Sequence, residues 1–418
     1  MPQEADYNSY NYPNDMFHWV ANLYKQKQNM KQIIKSEVVA HSVSPQGEEL
    51  ISILGTFPRF ILAEVNTHRM LSKNTSSSRA IPFAKMLQTI QEDPFIPIAW
   101  QKDHKGMQGT EYFTETEDIK SAEGEWLKAG NLSVQQAIWL SNGIGVTKQL
   151  CNRLLEPFMW TTMLITGSRS GWENFFHLRC PQYQTPVSQT VEPQRSWKDL
   201  MDVHSNPINE DLLEKNADNW LFKLQHNKGQ AEIHMMAFAE AVWDSVNEST
   251  PKQLQAGEWH IPFEDKIQRF ANIPLNGQTS NEELEANILM NKVKVSVAMA
   301  ARTSYTIVGE EKSIDSEALL GLHDRLTSQN PPHSSPFEHV AQCMSEDEYF
   351  SYVKGVVSVG RESDSSIFNH EYYAWIPQDN YHMGFAGLNP NNGDRYGWCN
   401  NLKGFIPYRY FIDNSLPL

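Results

Sequence analysis

The stretch from Asn66 to Pro82, NTHRMLSKNTSSSRAIP, gathers His68, Arg69, Lys73 and Arg79 among serine and threonine hydroxyls, and little in it fills a core. Guanidinium groups present planar forks to phosphate, and loop hydroxyls add short donors beside backbone N–H groups. Ser77, Ser78 and Arg79, with Arg69 upstream, therefore form a reasonable cradle for a nucleotide monophosphate. A solvated loop with helix caps is the other reading of such a segment. Elsewhere the chemistry is thinner. Glu338 and His339 adjoin, but neighbours on one strand point to opposite faces, so no metal site is expected. GSRSG around Arg169 has arginine where a nucleophile elbow needs serine, and GIG at Gly143 lacks the third glycine of a dinucleotide fingerprint.

The elements that must hold these residues follow from periodicity. A helical pattern runs from Phe17 to Ile34. EVVAHSV and ELISILGTFPRFILAEV read as strands, the second bent at Gly-Thr-Phe-Pro, and the hydroxyl-rich stretch follows directly. SVQQ at Ser133 has capping-box form and opens a helix to about Leu155, where Pro157 stops it. WTTMLITGSRSGWENFFHLR begins as a strand and turns helical near Ser170, with Trp172, Phe175, Phe176 and Leu178 on a buried stripe. GQAEIHMMAFAEAVW is a strong amphipathic helix, and another lies around Ser316 to Thr327.

Composition bounds the rest. The 418 residues, 40% hydrophobic, suffice for one large core or two ordinary ones. A formal charge of −15 excludes a broad nucleic-acid face, which needs clustered Lys and Arg, while leaving room for a local basic pocket. The four cysteines, Cys151, Cys180, Cys343 and Cys399, are scattered and read as reduced thiols in a cytoplasm. The N-terminus lacks a signal-peptide layout, and no apolar run approaches a membrane span.

The spacing in the basic stretch resembles the signature of the flavin-dependent thymidylate synthases. Thr67, His68 and Arg69 stand at its R-H-R, Ser72 and Asn74 at its S-x-N, and Ser77, Ser78 and Arg79 complete it. Thr67 replaces the first arginine, Thr75 a glutamate, and Ala80 the closing tyrosine. Further segments resemble the same family: GIGVTKQLCNRLLEP with Arg153; TGSRSGWENFFHLR with Ser168, Asn174 and Arg179; GQAEI with Gln230 and Glu232; AARTSY; and HSSPFEH with His333, Ser335 and Glu338. In the family the last two precede the R-H-R motif, whereas here they follow the final helix motif. That order reads as a circular permutation.

The resemblance implies an α+β fold, an antiparallel or mixed sheet flanked by long helices, with insertions. It divides the chain into an N-terminal arm and helix (1–36), a first part of the domain (37–243) holding an insertion (181–228), a connector (244–290), the permuted remainder (291–345) and an aromatic-rich extension (346–418). It implies FAD held against dUMP in a homotetramer with shared sites, methylenetetrahydrofolate as carbon donor and NADPH as reductant, giving dTMP. Arg179, Ser77 and Arg79 would carry catalysis, and Glu64, Ser78 and Arg153 would join them in holding the nucleotide. His68, Arg69, Ser72, Asn74, Ser168, Asn174, His333, Ser335 and Glu338 would hold the flavin. His68 as a core histidine, Arg153 paired with Glu156, and Arg179 as a partner of its helix end are the structural alternatives. Arg409 is a candidate to replace the guanidinium missing at Thr67. Another pyrimidine nucleotide, a hydroxymethyl product, or a non-catalytic nucleotide-binding descendant remain open alternatives.

Overall fold

The computed structural model describes residues 33–106, 109–184, 192–203, 214–267, 281–305, 315–329, 335–349, 387–388, 395–396 and 402–413. The helical reading of 17–34 lies outside them except for residues 33 and 34, which are not helical, and so do His333 and most of the extension. Helices and a mixed sheet make an α+β architecture. The main sheet has the order β3-β4-β2-β1-β5, with β1 (Lys35–Val43), β2 (Glu49–Pro58), β3 (Ser72–Thr75), β4 (Trp160–Ser168) and β5 (Lys252–Gln253). Only β5 is parallel to its neighbour. A smaller sheet joins β6 (Trp259–His260), β7 (Ala341–Cys343) and β10 (Phe405–Pro407), while β8 (Gly387–Leu388) and β9 (Arg395–Tyr396) pair as a ribbon.

Strand alternation sends β2 side chains to two buried faces. Ile51, Ile53 and Phe57 join Met163 and Ile165 under α3 (Arg169–Arg179) and α4 (Ile233–Glu248). Gly55 lets α4 lie directly on the sheet, since a Cβ there would sit 2.6 Å from the Phe238 ring. Leu54 and Leu164 face the other way, toward α5 (Asn281–Arg302), α6 (Ser316–Thr327) and the turn at Phe337. A third cluster joins α1 (Phe83–Glu92), α2 (Thr116–Ile138) and the turns around Leu155. The insertion is pinned to α4 through buried Glu240, which accepts from Tyr183 Oη at 3.0 Å and Trp197 N at 2.9 Å and pairs with Lys223 at 3.2 Å.

Several sequence expectations change. The helix assigned to Ser133 starts at Thr116, so the capping-box look-alike is mid-helix, where solvent-side Ser and Gln are tolerated. Gly-Thr-Phe-Pro does not bend β2, which runs straight to Pro58. The residues beyond it, read as strand, form a 3₁₀ turn and a short helix, Leu62–Asn66. AARTSY, an opening strand in the family, ends helix α5 and forms a 3₁₀ turn to Tyr305. Its valine alternation is accommodated in a helix because that stretch is covered on more than one face, with Val293, Val295, Val297, Ala298, Ala300 and Ala301 all buried. The same helix begins within the expected connector. In α3, Trp172, Phe175 and Phe176 are buried as read, but Leu178 is exposed. Cys151, Cys180 and Cys343 are buried free thiols. Among the described residues no helix is long and apolar enough to cross a membrane.

Candidate functional site

Edge strand β3 organises the candidate residues, and its alternation divides them. Ser72 and Asn74 lie opposite Thr166 and Leu164 and are buried on the α5 side. Lys73 and Thr75 lie opposite Ile165 and Met163, on the α3 side. The motif therefore serves two faces of one sheet.

On the α3 side, Arg179 ends the helix and donates from Nε to His68 Nε2 at 3.0 Å. Because arginine has no acceptor, that nitrogen carries no proton, and the neutral ring is the Nδ1–H tautomer. His68 is buried, with Phe175 edge-on at 4.9 Å. Burial first, then the Arg179 and Lys73 charges, lowers its pKa to about 4. Lys73 donates from Nζ to the His68 carbonyl, and burial lowers its pKa to about 8. Glu64 faces this cluster, its pKa raised by burial and by Glu232 and opposed by Arg179 and His234. Glu232 caps α4, accepting from His234 N at 2.8 Å and Met235 N at 3.0 Å. It also lines a cavity of about 90 Å³ with Gln101, Tyr112, Asn227 and Gln230.

On the α5 side Asn74 is a hub. Its Nδ2 donates to the Ala300 carbonyl, and its Oδ1 accepts from Ser304 Oγ at 3.1 Å and Ser335 Oγ at 3.4 Å. Two residues assigned to the flavin thus touch each other across most of the chain. Ser77 N donates to the Ser304 carbonyl at 2.9 Å, docking the serine loop on the end of α5. Glu338 pairs with Arg409, which also holds Asp413 at 3.1 Å. Arg409 thus holds a motif residue, while the Thr67 hydroxyl donates to the Glu64 carbonyl at 2.6 Å.

Past the end of β3, Asn152 Nδ2 donates to the carbonyls of Ser78 at 2.7 Å and Ile81 at 3.1 Å. These bonds tie the loop that carries Arg79 to the segment that carries Arg153. Both arginines are exposed, and neither guanidinium has a hydrogen-bond or ion-pair partner among the described residues; Glu156, a structural alternative for Arg153, pairs with Arg59 at 3.2 Å. Arg69 is exposed as well. Of the remaining candidates, Ser168 is buried with its Oγ 3.1 Å from Ser170 Oγ, and Asn174 is exposed on α3. Neither joins the Asn74 hub or the His68 cluster.

Sequence reasoning missed Asn152 and gave Lys73, Ser304 and His339 no role of their own in this neighbourhood. His339 was legible as the last letter of HSSPFEH and as half of a rejected metal pair with Glu338. Among the described residues no group of three or more His, Cys, Asp or Glu is arranged to hold a metal.

No family model and no curated protein matches the chain. Among solved structures it is similar to the UMP/dUMP methylase PolB from Streptomyces cacaoi bound with 5-Br dUMP, at 15% identity and TM-score 0.30, covering 47% of this chain and 94% of that one. It is also similar to thymidylate synthase X from Helicobacter pylori with FAD and dUMP, at 14% identity and TM-score 0.22, covering 49% and 83%. Likeness at this level leaves the function to be argued from residues.

Proposed function

We propose that this chain is a flavin-dependent enzyme that modifies C5 of a pyrimidine nucleoside monophosphate, dUMP to dTMP in the first instance. Methylenetetrahydrofolate is the carbon donor and NADPH the reductant. The observation that carries the reading is the contact of Ser335 with Asn74, which brings a late motif onto the basic stretch that it would have to meet.

The residues present fit the groups. Asn74, Ser304 and Ser335 form a neutral amide and hydroxyl set, and on the same sheet face His339, bonded to Thr166, has a buried Nε2 with no partner among the described residues. With the Asn74 amide engaged, the remaining lone pairs of the two hydroxyls and the His339 ring nitrogen are the groups suited to the edge of a heteroaromatic ring. Bound flavin would supply the hydride equivalent. Arg79 and Arg153, unpaired on an acidic chain, suit a phosphate. Anchoring it would use remote binding energy to orient the base. Arg179 would stabilise charge developing on a base oxygen, with neutral His68 holding its Nε without neutralising it. Loop residues Ser77 and Ser78 set the height of Arg79. A second subunit completing the site belongs to this reading.

The test is incubation with FAD, NADPH, methylenetetrahydrofolate and a panel of pyrimidine monophosphates, followed by mass analysis of the nucleotide. A gain of one methyl group on dUMP is expected. A hydroxymethyl product or another nucleotide would redirect the reading. A colourless protein that takes up no FAD would leave a non-catalytic nucleotide binder.

A further inference from the structure

A row of buried polar side chains runs across the main sheet on its α5 side. Thr166 of β4 is in register with Ser52 of β2 and with Ser72 of β3. Ser52 Oγ lies 2.6 Å from Thr166 Oγ1 and 2.8 Å from His260 Nε2, and His260 Nδ1 lies 2.9 Å from Ser42 Oγ. At the other end Thr166 Oγ1 lies 2.9 Å from His339 Nδ1. His339 is fully buried, and its Nε2 has no partner among the described residues. Burial holds both imidazoles neutral, with pKa values near 3.

Five groups in single file admit two proton arrangements that satisfy every internal bond. In one, each donor points from Ser42 toward His339, which then carries N–H at Nε2. In the other every donor is reversed, His339 carries its proton at Nδ1, and Nε2 offers a lone pair. Reversal by hopping moves one proton out at one end and one in at the other, with water as partner, so the proton count of the chain is unchanged. Mutual polarisation makes the bonds act as a unit. The open end follows Glu338 directly and lies on the face that holds Ser72, Asn74 and Ser335. A buried nitrogen able to donate or accept matches a ligand atom that makes the same exchange.

We propose that His339 is a further ligand-contacting residue, its Nε2 meeting a ring nitrogen of bound flavin that is an acceptor when oxidised and an N–H donor after hydride addition, with Thr166, Ser52, His260 and Ser42 setting the tautomer. This inference rests on the flavin reading above.

The test is ¹⁵N NMR of protein labelled at histidine nitrogen. In ligand-free protein, Ser52→Ala should shift the tautomer populations of His260 and His339 together; unchanged populations would overturn the chain. With FAD bound, dithionite reduction should exchange the tautomer of both rings, and Ser52→Ala should confine the exchange to His339. His339→Phe should raise the FAD dissociation constant about tenfold, the worth of one buried hydrogen bond. Identical tautomers in oxidised and reduced FAD-bound protein would overturn the proposal, as would an unaltered dissociation constant in a folded His339→Phe variant. Wild-type protein that binds no FAD would remove the flavin reading itself and the ligand named here, whatever the ligand-free spectra show.

Discussion

Arg179 Nε meets His68 Nε2 at 3.0 Å, and the contact fixes the state of both side chains. A protonated His68 would present a second donor to a guanidinium that can only donate. The ring is therefore neutral wherever the contact persists, and the Arg179 charge stays free to act on something else.

Acid should break this arrangement. The folded pKa of His68, about 4, lies below its ordinary 6.5, so the unfolded chain takes up a proton first as pH falls. Its contribution is intact above pH 6.5 and is lost between there and about 4. The shift sets a ceiling of about 3 kcal/mol, reduced to about 1–2 by relaxation at low pH. His68→Gln should flatten the fall in urea midpoint between pH 7.5 and 4.5; an equally steep fall in the variant would place the acid sensitivity elsewhere.

Lys73 predicts the opposite limb. Its folded pKa of about 8 is below 10.5, so burying its charge costs stability throughout the neutral range, and the cost is relieved as pH rises from 8 to 10.5. With the side chain part-exposed, the cost is about 1 kcal/mol after solvent screening. Lys73→Met should raise the midpoint at pH 7 by that amount and lose its advantage by pH 10. A variant less stable at pH 7 would show that the bond to the His68 carbonyl outweighs desolvation.

The two clusters explain what was legible in the chain. β1, the first half of β2, β4 and α4 announce themselves because their apolar spacing and burial agree. α5 does not, since Lys-Val-Lys-Val-Ser-Val fits either period and only packing against Phe337 and Trp259 decides. The basic stretch was legible as chemistry through the composition of its loop. Its division between two sheet faces was hidden, because it depends on Ser72–Thr75 becoming an edge strand and not a loop. Lys73 looked like one more loop cation, and its partial burial on the α3 side of the sheet follows from the register with Ile165.

Arg79 and Arg153 should act on nucleotide and not on the fold. Both are exposed and unpaired among the described residues, so alanine at either should change the unfolding midpoint by less than about 0.5 kcal/mol. Losing one charge-assisted phosphate contact should weaken nucleotide monophosphate binding by roughly 10- to 100-fold. Titration calorimetry with the monophosphate and with the parent nucleoside separates the outcomes. Equal loss for both ligands would deny these arginines a phosphate role.

Asn74 poses the reverse case, a motif residue whose polar ends are occupied within the protein. Its amide donates to Ala300 and accepts from Ser304 and Ser335, joining β3 to α5 and to the turn at Ser335. Asn74→Ala leaves a buried carbonyl and two hydroxyls short, and should cost about 2–4 kcal/mol. Ser335→Ala removes only a 3.4 Å contact and should cost less than about 1 kcal/mol. If both variants bind FAD like the wild type once folded at low temperature, the pair is a clasp that shapes the site without touching the ring. If Ser335→Ala keeps its stability but loses FAD, as the proposed function requires, Ser335 turns from the clasp to the cofactor when the site fills. Absorbance titration of the folded variants with FAD distinguishes the two.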